Sequence, residues 1–174
     1  MPERKLFVMF GIRFLLGAAA REGVCQTLTT LRELNVPADG TYAYSGLIMR
    51  NGDLFGTASQ GGTVTIQCQN GCGTVFKLSP SMIYRQWGAV VLHSFAGGPD
   101  DGYQPTAGLT QGPNGVLYGA TSRGGNDTTC DCGIVFELTP PSGLGGSWTE
   151  TVIHSFSGPD GANPQGVLAM DFQG

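Results

Sequence analysis

A chain of 174 residues with 40% apolar content is long enough for one domain with its own core. Only 13% of residues are charged, the net charge is −4, and the 9 basic residues are scattered, so nothing in the sequence offers the electrostatic footprint that nucleic acid requires. The 29 glycines and 10 prolines favour short strands joined by tight turns, whereas long amphipathic helices would need more Ala, Leu, Glu and Lys. The predicted class is all-β.

The first segment, residues 1–24, contains the apolar run Lys5–Ala20 after Arg4, and it ends in small residues with Ala18 and Ala20 spaced as a signal peptidase accepts. It reads as a signal peptide or N-terminal leader. Arg13 interrupts the run, and a buried N-terminal segment is the alternative; the run is too short and too charged for a membrane span. Residues 25–42 supply one strand and a linker, including "TLRELNVPADG", Thr30–Gly40.

Residues 43–95 then carry "LFGTASQGG" (Leu54–Gly62) and "CGTVFKLSP" (Cys72–Pro80), with "VLHSFAGGPDDGYQP" (Val91–Pro105) running past the segment's end. Residues 106–156 write the same passages again as "LYGATSRGG" (Leu117–Gly125), "CGIVFELTP" (Cys132–Pro140) and "VIHSFSGPDGANP" (Val152–Pro164). Trp148 follows Trp87 by 61 positions and His154 follows His93 by 61, so the unit is about 60 residues long. The strand in 25–42 is a degraded earlier copy, with Arg32 at the histidine position.

Within the second copy, four strand-like pieces follow one another: Ala107–Gln111, Val116–Ser122, Gly133–Thr139 and Trp148–Phe156. "GPNG", Gly112–Gly115, has the residues of a tight hairpin, and Pro140 with Pro141 ends the third strand. Four short antiparallel strands per repeated unit is the signature of a propeller blade. A sheet apolar on both faces, as in Ile134, Val135, Phe136 and Leu138, cannot cover both alone, and a neighbouring copy covers one. The expected fold is therefore an all-β β-propeller fragment of four-stranded antiparallel blades; a β-sandwich or stacked β-solenoid is the alternative.

On this reading, 25–42 ends an incomplete blade, 43–95 and 106–156 are blades, and 157–174 begins a truncated one. The copy breaks off at Asp171–Gly174, in mid-hairpin, which implies either a fragment of a longer protein or self-association through open blade edges.

"LYGATSRGG" and "LFGTASQGG", "GTVFKL" and "GIVFEL", "VLHSF" and "VIHSF", and the "DG" loop closing on Pro resemble the tandem GloVer repeat of secreted bacterial proteins. The resemblance covers residues 30–174 and implies arrays followed by a C-terminal anchoring segment, at the cell surface or secreted. It assigns no activity to particular residues. Ile134 stands where the family usually has Thr, and within these 174 residues the copies are few and followed by no anchor pattern, as expected of a fragment.

Cys68 and Cys72 fall in the loop between the second and third strands of one copy, and Cys130 and Cys132 in the same loop of the next. One local disulfide per loop is expected; a four-cysteine zinc site is the alternative, though C-x3-C and C-x-C are not zinc spacings. Cys25 has no evident partner.

His93 and His154 recur with the repeat, which points to structure rather than catalysis, and the two-residue period of a strand places His93 on the face of Val91 and Phe95 and His154 on that of Val152 and Phe156. "PADG", "PDDG" and "PDG" read as turns. Calcium is the weaker reading, with Asp100 and Asp101 or Asp160 and Asn163 as oxygen donors. The recurring aromatics Phe55 with Tyr118, Phe76 with Phe136 and Trp87 with Trp148 read as core.

No G-x-S-x-G elbow, H-E-x-x-H helix or phosphate loop is present, and no cofactor is implied. The expected function is a non-catalytic extracellular scaffold or binding module, with a glycan or a surface protein as partner. The alternatives are a glycan-cleaving enzyme on a propeller and a self-assembling lectin-like module.

Overall fold

The computed structural model describes residues 5–10, 13–18, 29–34, 38–81, 83, 86–126, 129–143 and 145–171. Cys25 lies outside the described residues. The chain is all-β, and every ladder among the described residues is antiparallel.

Within the span expected as a leader, β1 (Lys5–Phe10) and β2 (Arg13–Ala18) form a hairpin that pairs with β3 (Thr30–Glu33), the strand expected in 25–42. The second sheet contains β4 (Ile48–Arg50), β5 (Asp53–Ala58), β6 (Thr74–Pro80) and β7 (Trp87–Ser94), ordered as in the chain. The third contains β9 (Thr110–Gln111), β10 (Leu117–Thr121), β12 (Ile134–Thr139) and β13 (Thr149–Ser155), again in chain order. A short ladder absent from the sequence expectation joins β8 (Gly102–Tyr103) to β11 (Arg123–Gly124). Among the described residues no helix is long and apolar enough to cross a membrane.

The inner hairpins turn on Asn-Gly. Asn51 and Gly52 have φ of 51° and 87°, and Asn114 and Gly115 have 53° and 87°, the left-handed pair a two-residue hairpin needs. In the second copy Pro113–Gly115 closes as a single 3-10 turn.

The second sheet is covered on both faces and the third on one. Leu54, Phe76 and Leu78 of the second sheet pack with Leu34 beside β3, while Trp87 and Leu31 cover the edges. The opposite face, with Phe55 and Val75, packs against Leu117, Phe136 and Leu138 of the third sheet. Phe136 meets Phe95 edge-on at 5.2 Å between ring centroids, and Trp148 meets Phe55 at 6.5 Å. Leu54, Phe76, Leu78 and Trp87 are thus repeated in role as well as in sequence by Leu117, Phe136, Leu138 and Trp148.

The invariance of Gly in "LFGTAS" and "LYGATS" follows from this packing. Gly119 is the cross-strand partner of Phe136 and Gly56 that of Phe76. A Cβ at either position would run into that phenyl ring, so the ring lies flat over the glycine.

The strict two-residue period fails at the outer strand. Val75 pairs with His93 but Phe76 pairs with Val91, and Val135 pairs with His154 but Phe136 with Val152, so Leu92 and Ile153 are extra residues of a bulge. His93 is therefore on the face opposite Val91, a correction to the sequence expectation, and the same holds for His154 and Val152. His93 remains beside Phe95, with centroids 4.7 Å apart, as His154 does beside Phe156.

Truncating the fully buried Phe136 to Ala is expected to cost about 3–5 kcal/mol. Ile153→Ala, at a bulge position 53% exposed, is expected to change stability by no more than about 0.5 kcal/mol. Urea unfolding of the two variants checks the difference; similar losses would mean that the sheet-on-sheet core is misassigned.

Candidate functional site

The end of each sheet where β5 turns into β6, and β10 into β12, collects the cysteine loops and the "DG" loops. Ala58, Thr74 and Ser94 are ladder neighbours there, so the cysteine loop and the "DG" loop that follows β7 emerge side by side.

Three basic residues at equivalent strand positions each meet the aspartate of the following "DG" loop. Arg32 Nη2 lies 3.0 Å from Asp39 Oδ2, His93 Nε2 lies 3.8 Å from Asp101 Oδ1, and His154 Nε2 lies 2.8 Å from Asp160 Oδ2. Two of the aspartates also hold backbone. Ala96 N–H donates to Asp101 Oδ2 and Gly102 N–H to Asp101 Oδ1, both at 2.7 Å, while Ser157 N–H donates to Asp160 Oδ1 at 2.9 Å. The Ser157 amide and hydroxyl, with His154, hold the Asp160 carboxyl below its ordinary range. These are the bonds of a clipped turn. Asp100 lies exposed beside the clip, and Asn163 contributes its backbone, donating N–H to the Cys132 carbonyl at 2.7 Å. Among the described residues no group of three or more His, Cys, Asp or Glu is placed to hold a metal.

Cys68 and Cys72 stand 5.0 Å apart at Cα, and Cys130 and Cys132 stand 5.1 Å apart, two close pairs within disulfide range. Each second cysteine anchors the following "DG" loop: Gln104 N–H donates to the Cys72 carbonyl at 2.8 Å, as Asn163 does to Cys132. The glycine after each of these cysteines has φ near 100°, and a Cβ there would strike Pro105 or Pro164. The "CG" of one strand and the Pro closing the "DG" loop are therefore halves of a single contact.

Two arrangements were not anticipated from the sequence. Asp131, between the paired cysteines, accepts hydrogen bonds from the Tyr103 hydroxyl, from Arg123 Nη1 at 3.1 Å and from Gly124 N–H at 2.6 Å. Burial raises its pKa, but these donors outweigh it and hold the carboxyl below the usual range. Burial and the same Asp131 push the Tyr103 phenol up. Around this group is a cleft of about 420 Å³ that also takes Gln67 from the preceding cysteine loop.

The second arrangement is Glu150 of β13. Burial and then the Asp101 charge push its carboxyl up to about 7, with His93 acting in the opposite direction. Glu150 Oε1 and His93 Nε2 are both buried without a hydrogen-bond partner among the described residues. The equivalent residue in the preceding sheet is Ala89, since Leu78 pairs with Ala89 and Leu138 with Glu150. That replacement, in "WTETVIHSF" against "WGAVVLHSF", was the one sequence signal that could have located it.

A glutamate in an unfolded chain titrates near about 4.3, and folding raises Glu150 to about 7. The folded state therefore holds the extra proton across this window, and the stability it contributes is full below the lower value and lost as pH rises through the upper. Glu150→Gln is expected to remove that decline between pH 5 and pH 7.5 in thermal unfolding; an unchanged slope would mean the group titrates normally.

The family model described as the Gloeobacter/Verrucomicrobia repeat matches residues 17–174, spanning both complete repeat sheets, the cysteine loops and the "DG" clips. No curated protein and no solved structure matches the chain. Its "LYGATS", "CGIVFEL" and "VIHSF" strands are the recurring elements just described, and the chain belongs to the Gloeobacter/Verrucomicrobia repeat family.

Proposed function

We propose that the chain is an exported, non-catalytic repeat module of propeller geometry whose loop end serves for binding. The observation that carries this reading is the repetition of the ionisable pairs: Arg32 with Asp39, His93 with Asp101 and His154 with Asp160 each close the same turn. An acid or base needed for chemistry would occur once and face a cleft, whereas these pairs occur with every copy.

Propeller geometry is supported by the way the sheets stack. The third sheet covers the Phe55 face of the second, and its own equivalent face, with Tyr118 and the exposed Ile153, borders a cleft of about 590 Å³ edged by Leu168 and Met170 of the third copy. A further four-stranded sheet is what this face fits. Export is supported by cysteine pairs that suit an oxidising compartment.

Under denaturing, non-reducing conditions, Cys68, Cys72, Cys130 and Cys132 should resist thiol labelling and become labelled after reduction; labelling before reduction contradicts the exported, disulfide-closed reading. Purified protein should release no reducing sugar from polysaccharides. Release that disappears in Glu150→Gln would favour the glycan-cleaving alternative, because Glu150 is the carboxyl with the raised pKa.

A further inference from the structure

The first junction carries a cleft that differs from its counterpart in chemistry. It has a volume of about 410 Å³ and is lined by Thr41, Tyr42, Gln60, Val64, Gln69 and Asn70. No Asp, Glu, Lys, Arg or His is among these residues. Three are carboxamides, each with donors and an acceptor. Tyr42 is 47% exposed and Tyr44 is 65% exposed, with ring centroids 5.9 Å apart.

The backbone under Tyr42 argues that its ring serves the surface. Tyr42 has φ of 57°, in the left-handed region, where a bulky residue costs on the order of 1 kcal/mol or more. Its counterparts in the next copies, Gln104 and Asn163, have φ of 55° and 53°, and Asn is the residue that tolerates this region best. A tyrosine there gains little burial in return. The position is also held firmly: Thr41 and Gln60 exchange backbone hydrogen bonds at 2.8 and 3.1 Å, and Ser59 Oγ donates to the Tyr42 carbonyl at 3.1 Å. Gln69 and Asn70 lie between the paired Cys68 and Cys72, and the Asn70 carbonyl accepts from Gly61 N–H at 2.9 Å. At the next junction the ring of Tyr103 is buried and bonded to Asp131, so the equivalent cleft has no free aromatic face.

We infer that the Tyr42 cleft is a binding site for an uncharged saccharide. The tyrosine face packs against the C–H face of a sugar ring, the carboxamides of Gln60, Gln69 and Asn70 exchange hydrogen bonds with ring hydroxyls, and the absence of charge in the lining disfavours an anionic ligand. The inference rests on the binding-module reading and names its ligand class. The fixed backbone on both sides means that little ordering accompanies binding.

Amide NMR titration of the whole oxidised protein with maltotriose, cellotriose and triacetylchitotriose tests it. At least one probe should shift the Tyr42, Gln60, Gln69 and Asn70 signals. Tyr42→Asn keeps a residue suited to the left-handed backbone, so it should leave Tm unchanged or raised while weakening binding about tenfold or more. Gln69→Ala should weaken binding as well, and reduction of the Cys68–Cys72 pair should do the same. No shift with any probe, or full affinity in Tyr42→Asn, overturns the saccharide site. Either result leaves the module reading standing, since that is judged by cysteine oxidation and the lack of turnover.

Discussion

A four-stranded sheet that is apolar on both faces cannot exist alone in water, and most of this molecule follows from how that problem is met. The Leu117, Phe136 and Leu138 face of one sheet is buried on the Phe55 and Val75 face of the one before it. Burial of this kind is non-directional in its driving force but exacting in shape. Phe136 can reach Phe95 only because residue 119 has no side chain, and the same holds for Phe76 over Gly56. The repeat of about 60 residues is the period at which one sheet must reproduce the complementary face of the next.

Stacking sheets face to face leaves their ends as the places where chain can leave, and those ends are rigid here. A basic side chain near the end of the outer strand and an aspartate six to eight residues on close each "DG" turn. The turn is then tied to the cysteine loop by an amide donating to a cysteine carbonyl, Gln104 to Cys72 and Asn163 to Cys132. Such a surface consists of loops held at both ends by backbone bonds, and preorganised loops on a fixed scaffold are where binding sites arise.

Against this regular background the informative positions are those where one copy departs from the others. Glu150 replaces the small Ala89 and puts a carboxyl beside His93 and Asp101 at a sheet junction. Tyr42 replaces the polar Gln104 and Asn163 at a left-handed position. Both carry a local cost, one in desolvation and one in backbone conformation, that the equivalent residues avoid.

The sequence alone determined the all-β class, the repeat, the strands of each sheet and the Asn114-Gly115 hairpin, because strand alternation and turn chemistry are local properties written within a few residues. It also located the cysteine pairs by their shared place in the repeat. It did not disclose the bulge at Leu92 and Ile153, and therefore put His93 on the face of Val91 and His154 on that of Val152; an inserted residue looks like any other until a partner strand shows which residue goes unpaired. Nor did it show the β8–β11 ladder, the basic–Asp clips, the Asp131 cluster or the Tyr42 cleft. Each of these joins different strands and loops, so only the tertiary structure, which fixes register between strands and distance between loops, could decide them.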